Sequence, residues 1–246
     1  MPTQSIAEGS GAVPPILANF VVMNRGVQRT LAVAQKEFRS EVRNRYGLNS
    51  MGMFAGTVAL VVLFSVGREQ VSPAMVAALL WISFFFMSVA GLSRTFLSEQ
   101  ERGTILLLRL STSAIPVYFG KLLYNAGLAI ASNLLLGALI LTVMPDSYRG
   151  PVSGLITGTI VLSIGFAAAI TIVSALLARA SEKGMLTAVL ALPLLLPLVF
   201  LGVDLLSEGA AGKGIRAMGS ELLLVSGYVS LMIIVGYILF DQIWKE

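Results

Sequence analysis

The 246-residue chain is 56% hydrophobic, only 12% of its residues are charged, and its formal net charge is +4. Soluble domains carry roughly a quarter charged residues, so this composition indicates an integral membrane protein without a large soluble domain. The sequence contains neither cysteine nor histidine, which excludes disulfides, thiolate chemistry, Cys/His metal sites and a histidine general base.

The N-terminal residues differ from the rest of the chain. Residues 1–24 contain no Lys or Arg, so they lack the basic start of a secretory signal. Their glycines and prolines predict a flexible N-terminal tail over residues 1–25. Residues 26–246 are predicted to form a single transmembrane domain.

An amphipathic helix is predicted over residues 27–46. Apolar residues recur at spacings of three and four, from Val27 and Leu31 to Phe38, Val42 and Tyr46, which places them on one face. The opposite face is cationic. Such a helix before a membrane span is expected to lie in the headgroup plane, or to dock on a soluble partner. Its cations are Arg25, Arg29, Lys36, Arg39 and Arg43.

Six apolar segments follow, each close to the roughly 20 residues that a helix needs to cross the hydrocarbon core. The predicted spans lie near residues 51–67, 74–92, 114–143, 152–177, 186–203 and 222–240. With the N-terminus in the cytoplasm, 13 of the 17 Lys and Arg residues fall on the cytoplasmic side, among them Lys121 in the loop after the second span. The positive-inside rule therefore predicts that both termini are cytoplasmic.

A polar segment separates the second and third spans. Ser98 can cap a short helix through Glu101, three residues later, and Gly103 provides a stop. Ser98, Glu99, Gln100, Glu101, Arg102 and Gly103 are therefore candidates for a short helix that docks on a partner. An ordinary solvated loop is the alternative.

Several features within the spans have both a structural and a functional interpretation. Gly154 and Gly158 form a small-residue pair, typical of close helix packing within the subunit or of a dimer seam. Asn125 and Asn133, eight residues apart in the third span, are expected to hydrogen-bond a neighbouring helix or to line a substrate path.

Two prolines, Pro193 and Pro197, interrupt the fifth span. Each removes a helix hydrogen bond and should bend the span, which gives either a hinge or a static shape.

The chain offers no site for energy conversion or hydrolysis. No charged residue lies centrally in a predicted span, which argues against an ion-coupled pump. No Gly-x-x-x-x-Gly-Lys-Ser/Thr phosphate loop is present. Any ATP hydrolysis must therefore be carried out by another polypeptide.

Six spans, an interfacial helix and a short polar helix after the second span together resemble the permease subunits of ABC-2 type transporters. More closely, the sequence is similar to the haem exporter protein B (CcmB) family, over roughly Val33 to Phe240. The segments that carry this similarity are Glu37–Arg43, Leu79–Ile82, Gly91–Phe96, Glu99–Gly103, Gly120–Lys121 and Leu192–Pro197.

The resemblance implies an all-α membrane protein with the ABC-2 (type V exporter-like) permease architecture. It also implies a homodimeric, non-catalytic subunit in the bacterial inner membrane. Ser98–Gly103 would couple it to an ATPase like CcmA, which binds ATP and Mg²⁺. Further implied partners are membrane subunits like CcmC and CcmD and a haem chaperone like CcmE.

Haem would be the cargo of the complex in c-type cytochrome biogenesis, with no cofactor bound by this chain. The alternatives are an ABC-2 permease for a lipid, polysaccharide or drug, and a membrane scaffold that transports nothing. Met51, Met53, Met75 or Met87 could in principle serve as a haem iron ligand, although methionines in spans mostly pack.

Overall fold

In the computed structural model, the described residues are 15–44, 46–66, 71–92, 103, 108, 110, 112–144, 150–177 and 185–245. Within these ranges the long elements are seven α-helices. Their bounds are α1 Pro15–Asn44, α2 Tyr46–Val66, α3 Pro73–Leu92, α4 Ala114–Val143, α5 Ser153–Leu177, α6 Met185–Ala210 and α7 Gly219–Lys245. Helices α2 to α7 are each long and apolar enough to cross a membrane. The protein is therefore a multi-pass, all-helical membrane protein.

Helix α1 begins at Pro15, twelve residues before the predicted start at Val27. The structure describes residues 15–25 as helix, where the sequence predicted a flexible tail. Proline has a backbone angle already suited to the first helical position, and the mainly apolar residues after it continue the helix. Residues 1–14 lie outside the described part of the chain.

The predicted spans three and four agree with α4 and α5 to within a residue, whereas α6 is longer than predicted. Helix α6 continues beyond Val203 to Ala210 and includes Asp204 and Glu208. The apolar pattern in the sequence ends at the first charged residue, but the helix continues. Packing against α5 stabilises this last part, where Gly209 lies against the backbone of Leu155.

Helix α5 is the central element of the bundle. It packs against α3, α4, α6 and α7, and most of its residues are buried. An aromatic group formed by Trp81 and Phe85 of α3 and Phe166 of α5 lies at its middle, with ring centroids 5.4 to 6.5 Å apart. The core of the described bundle therefore lies around α5.

Helix α4 extends past the end of α3. The two helices run antiparallel, because Ser88 lies beside Asn133 and Phe84 lies beside Gly137. Helix α3 ends four residues after Ser88, so the first turns of α4 continue beyond it. Lys121 lies twelve residues before Asn133, or about 18 Å along the axis. This part of α4 is the surface on which α1 lies.

Candidate functional site

Helix α1 lies in close contact with the extended part of α4. A Cβ atom placed on Gly120 would lie 2.7 Å from Cβ of Val33 and 2.8 Å from the carbonyl oxygen of Thr30. A larger side chain at position 120 would therefore displace α1. The absence of a side chain at Gly120 sets the distance between the two helices.

A buried ion pair joins the same two helices. Lys121 Nζ donates a 2.9 Å hydrogen bond to Glu37 Oε1, with the lysine side chain fully buried and the glutamate side chain 9% exposed. Lys36 Nζ lies 3.5 Å from the same oxygen. Pairing is what makes these buried charges tolerable. The charge count assigned Lys121 to the loop after the second span, although the predicted third span already included it; the structure places Lys121 seven residues after the start of α4, where α1 covers it.

Helix α1 has three faces rather than the two that were predicted. Thr30, Val33 and Glu37 face α4. The large apolar residues Val27, Leu31, Phe38 and Val42 are exposed, as expected of a surface that contacts lipid. The predicted cationic residues Arg29, Lys36, Arg39 and Arg43 are also exposed.

A second glutamate of α1, one turn after Glu37, holds the start of α2. The backbone N–H of Leu48 donates a 3.2 Å hydrogen bond to Glu41 Oε1. The carboxylate thus accepts a hydrogen bond from the first turn of α2, where the helix dipole also favours negative charge. Through Glu37 and Glu41, α1 is attached to both α4 and α2.

The candidate coupling residues lie largely outside the described part of the chain. This applies to Ser98, Glu99, Gln100, Glu101 and Arg102. Gly103 is described: it is exposed and its φ is +66°, a conformation that glycine adopts readily.

The two asparagines of α4 are fully buried and bind neighbouring helices. Asn125 Nδ2 donates a 2.8 Å hydrogen bond to Thr171 Oγ1 of α5. Asn133 Nδ2 donates to Ser163 Oγ of α5 at 3.1 Å and to Ser88 Oγ of α3 at 3.3 Å. These contacts connect α4 to the central helix at two levels, two turns apart.

Helix α6 is continuous through Pro193 and Pro197, both of which are exposed. Two aromatic side chains bind its backbone beside the prolines. Tyr228 Oη of α7 donates a 2.7 Å hydrogen bond to the carbonyl of Leu194, and Trp81 Nε1 of α3 donates a 3.2 Å bond to the carbonyl of Leu198. The proline segment is therefore fixed to two other helices.

The glycine pair of α5 packs within the subunit. Gly154 is level with Gly209 and Met218, and Gly158 lies against Leu205 and Leu206 of α6. Close helix packing within the subunit explains the position of this pair, because both glycines face α6 and the segment that follows it.

Segments that are far apart in the sequence, and that carried the resemblance, contact each other in the fold. Glu37 meets Lys121, and Trp81 meets the carbonyl of Leu198, one residue after the Leu192–Pro197 run. Met51, one of the methionines considered as haem ligands, packs against Gly91. Sequence reasoning missed these partners, although Glu37, Trp81 and Lys121 all lie within the similar segments.

The other three methionines considered as haem ligands differ in their exposure. Met87 is buried in the core, whereas Met53 and Met75 are exposed on the outer surface of the bundle. Their positions are those of packing and lipid-facing side chains.

Comparison with known proteins identifies a family. The profile of the CcmB protein family matches residues 28–239. Heme exporter protein B of Paracoccus denitrificans is 29% identical over 191 residues, which cover 74% of this chain and 84% of that protein. Heme exporter protein B of Rhodobacter capsulatus is 28% identical over 194 residues, which cover 75% of this chain and 85% of that protein.

Proposed function

The chain belongs to the CcmB family, and on this premise we propose that it is the membrane permease subunit of an ATP-driven transporter complex that handles haem in c-type cytochrome biogenesis. The observation that carries the proposal is the extent of the family match. It begins at Gln28 in α1 and ends at Leu239 in α7, so it includes some part of every helix.

The subunit itself is proposed to be non-catalytic, with ATP and Mg²⁺ bound by a separate ATPase like CcmA. The absence of a phosphate-binding loop from the sequence supports this division of labour. Ser98–Gly103 would form the short coupling helix that contacts the ATPase. Because this segment lies between α3 and α4 in the chain, its movement would reach α4 and, through the Glu37–Lys121 pair, α1.

The remaining partners follow from the same family assignment. We expect a second copy of this chain, membrane subunits like CcmC and CcmD, and a haem chaperone like CcmE that is released after ATP hydrolysis. The complex would lie in the bacterial inner membrane with both termini of this chain in the cytoplasm. The excess of Lys and Arg on that side supports the orientation.

Haem is proposed as the cargo of the complex, held by a partner and not by this chain. Histidine, the commonest axial ligand of haem proteins, is absent from the sequence. The purified chain should therefore bind little haem. A haem spectrum of the isolated chain that disappears when Met51 or Met87 is replaced would contradict this assignment.

Affinity purification of the full-length chain from native membranes in mild detergent tests the proposed function. We expect an ATPase and a haem-handling membrane protein to copurify, identified by mass spectrometry. Recovery of an ATPase without any haem-handling partner would favour an ABC-2 permease for a lipid, polysaccharide or drug. Recovery of assembly factors without an ATPase would favour a scaffold that transports nothing.

A further inference from the structure

A groove of about 670 Å³ lies between α1, the start of α2 and α4. Its walls are mainly apolar and include Leu31 and Phe38 of α1 and Leu123 and Leu128 of α4. Gly127 also lines it, and a Cβ atom placed there would meet nothing within 4 Å. The volume is typical of small-molecule pockets, which measure roughly 300–1,000 Å³.

The groove runs from a charged level of the protein towards its apolar middle. On α4 it extends from Leu123, two residues after the buried Lys121, to Ala131, two residues before Asn133. This length is about 12 Å along the helix axis. A ligand that fits along the groove therefore has a polar end near the level of Lys121 and an apolar body that extends towards Ala131.

The α1 rim of the groove is cationic. Arg39 lies one turn after Gln35, which lines the groove, and Arg43 lies one turn after Arg39; both arginines are exposed. Residues four apart lie on the same side of a helix, so the two arginines follow the outer edge of the groove. Basic side chains at this position attract anionic headgroups.

One carboxylate also lines the groove. Glu41 Oε1 accepts the hydrogen bond from the N–H of Leu48, where the N-terminal dipole of α2 offsets its negative charge. The polar lining is completed by Gln35 and by Tyr124 of α4. The α1 edge of the groove can therefore still bind an anionic headgroup.

We propose that this groove binds one anionic phospholipid of the surrounding leaflet. One acyl chain lies between α1 and α4 over Gly127, and the phosphate contacts Arg39 and Arg43. A second copy of the chain is a poorer occupant, because a symmetric contact would bring the α1 cations of the two copies together.

Native mass spectrometry of the full chain, purified and delipidated in detergent, tests the site. Phosphatidylglycerol and phosphatidylcholine are added in turn, and the lipid retained per chain is measured. We expect one retained phosphatidylglycerol and a preference over phosphatidylcholine on the order of tenfold, from two arginine contacts. Equal retention of the two lipids by the unmodified chain would overturn the proposal.

Two matched pairs of variants locate the site. Gly127→Leu places a side chain in the groove and should abolish retention, whereas Gly227→Leu in α7 should not; at both positions an added Cβ atom meets nothing within 4 Å. Arg39→Ala with Arg43→Ala should remove the preference for phosphatidylglycerol, whereas Arg29→Ala with Arg216→Ala should preserve it.

The comparison of Gly127→Leu with Gly227→Leu also distinguishes a bound lipid from a protein interface. If Gly127→Leu retains as much phosphatidylglycerol as Gly227→Leu, the lipid binds elsewhere and the proposal is wrong. If Gly127→Leu instead changes the oligomeric state and leaves lipid retention intact, the groove is a protein interface and the proposal is equally wrong.

Discussion

The ion pair between Glu37 and Lys121 joins two helices across 84 positions of sequence, with both side chains at least nine-tenths buried. Removing Lys121 leaves the buried carboxylate of Glu37 dependent on Lys36, whose half-exposed ammonium lies 3.5 Å away. Replacing both partners by apolar residues is far less costly, because the desolvation penalty of each ion is removed as well. The attachment of α1 should therefore be weakened more by the loss of one partner than by the replacement of both.

The first prediction uses this dependence. Lys121→Met should reduce the free energy of unfolding by up to about 3–5 kcal/mol, and the double change Glu37→Leu with Lys121→Met should recover most of that loss. Thermal unfolding in detergent measures both variants. Lys213→Met is the control, because Lys213 forms a partly exposed pair with Glu208 that is worth about 0–1 kcal/mol. The pair is unimportant if Lys121→Met costs no more than this control.

At the scale of single elements, the position of α1 depends on the lack of a side chain at Gly120. The backbone of Thr30, which cannot move without moving α1, lies only 2.8 Å from the Cβ position of residue 120. Extra atoms in a closely packed contact force the backbones apart and cost roughly 1–3 kcal/mol.

The second prediction follows from this contact. Gly120→Val should separate α1 from α4 and speed the tryptic cleavage of α1 at Arg29, Lys36, Arg39 and Arg43. Limited proteolysis followed by mass spectrometry measures the rate. Gly227→Val, at an open position of α7, should leave the cleavage pattern unchanged. Equal cleavage of both variants would show that α1 does not depend on Gly120.

Helix α6 carries the third prediction, which distinguishes a hinge at Pro193 and Pro197 from a static shape. Trp81→Phe with Tyr228→Phe removes both hydrogen bonds to the proline segment. Interhelical bonds of this kind are worth about 0.6 kcal/mol each on average, so the protein should stay folded. Hydrogen exchange near Leu194 and Leu198 should become faster.

A matched variant tests whether that effect is local. Tyr118→Phe removes a similar bond, from Tyr118 Oη to the carbonyl of Ile233 in α7, and should leave exchange in α6 unchanged. A proline segment that exchanges at the same rate in both variants would be a static bend.

Periodicity and hydropathy predicted most of the elements, because a helix in lipid must satisfy its backbone internally and must be long enough to cross. The bounds of α4 follow directly from its apolar run. The start of α1 was not predicted, because the prolines Pro14 and Pro15 are as typical of a loop as of the start of a helix. The pairing of Glu37 with Lys121 was missed because a contact between distant segments leaves no local pattern.

At the scale of the whole molecule, the fourth prediction concerns the orientation in the membrane. Reporter fusions after Glu246 and within Glu99–Gly103 should report the cytoplasm, and fusions near Asp146 should report the opposite side. The physical reason is the excess of Lys and Arg on one side of the six spans. A C-terminus on the outer side would contradict the proposed topology.

The central claim is that an ATPase drives this subunit through Ser98–Gly103. Truncating one partner of a desolvated charged pair at an interface costs roughly 2–5 kcal/mol, and each 1.4 kcal/mol is about tenfold in affinity. The most direct measurement is the ATPase affinity of the purified chain carrying Glu99→Lys and Glu101→Lys, together with cytochrome c maturation in cells. The account predicts binding weaker by orders of magnitude and failed maturation at normal protein levels. Unchanged binding and maturation would show that the segment is only a loop and that the coupling mechanism is wrong.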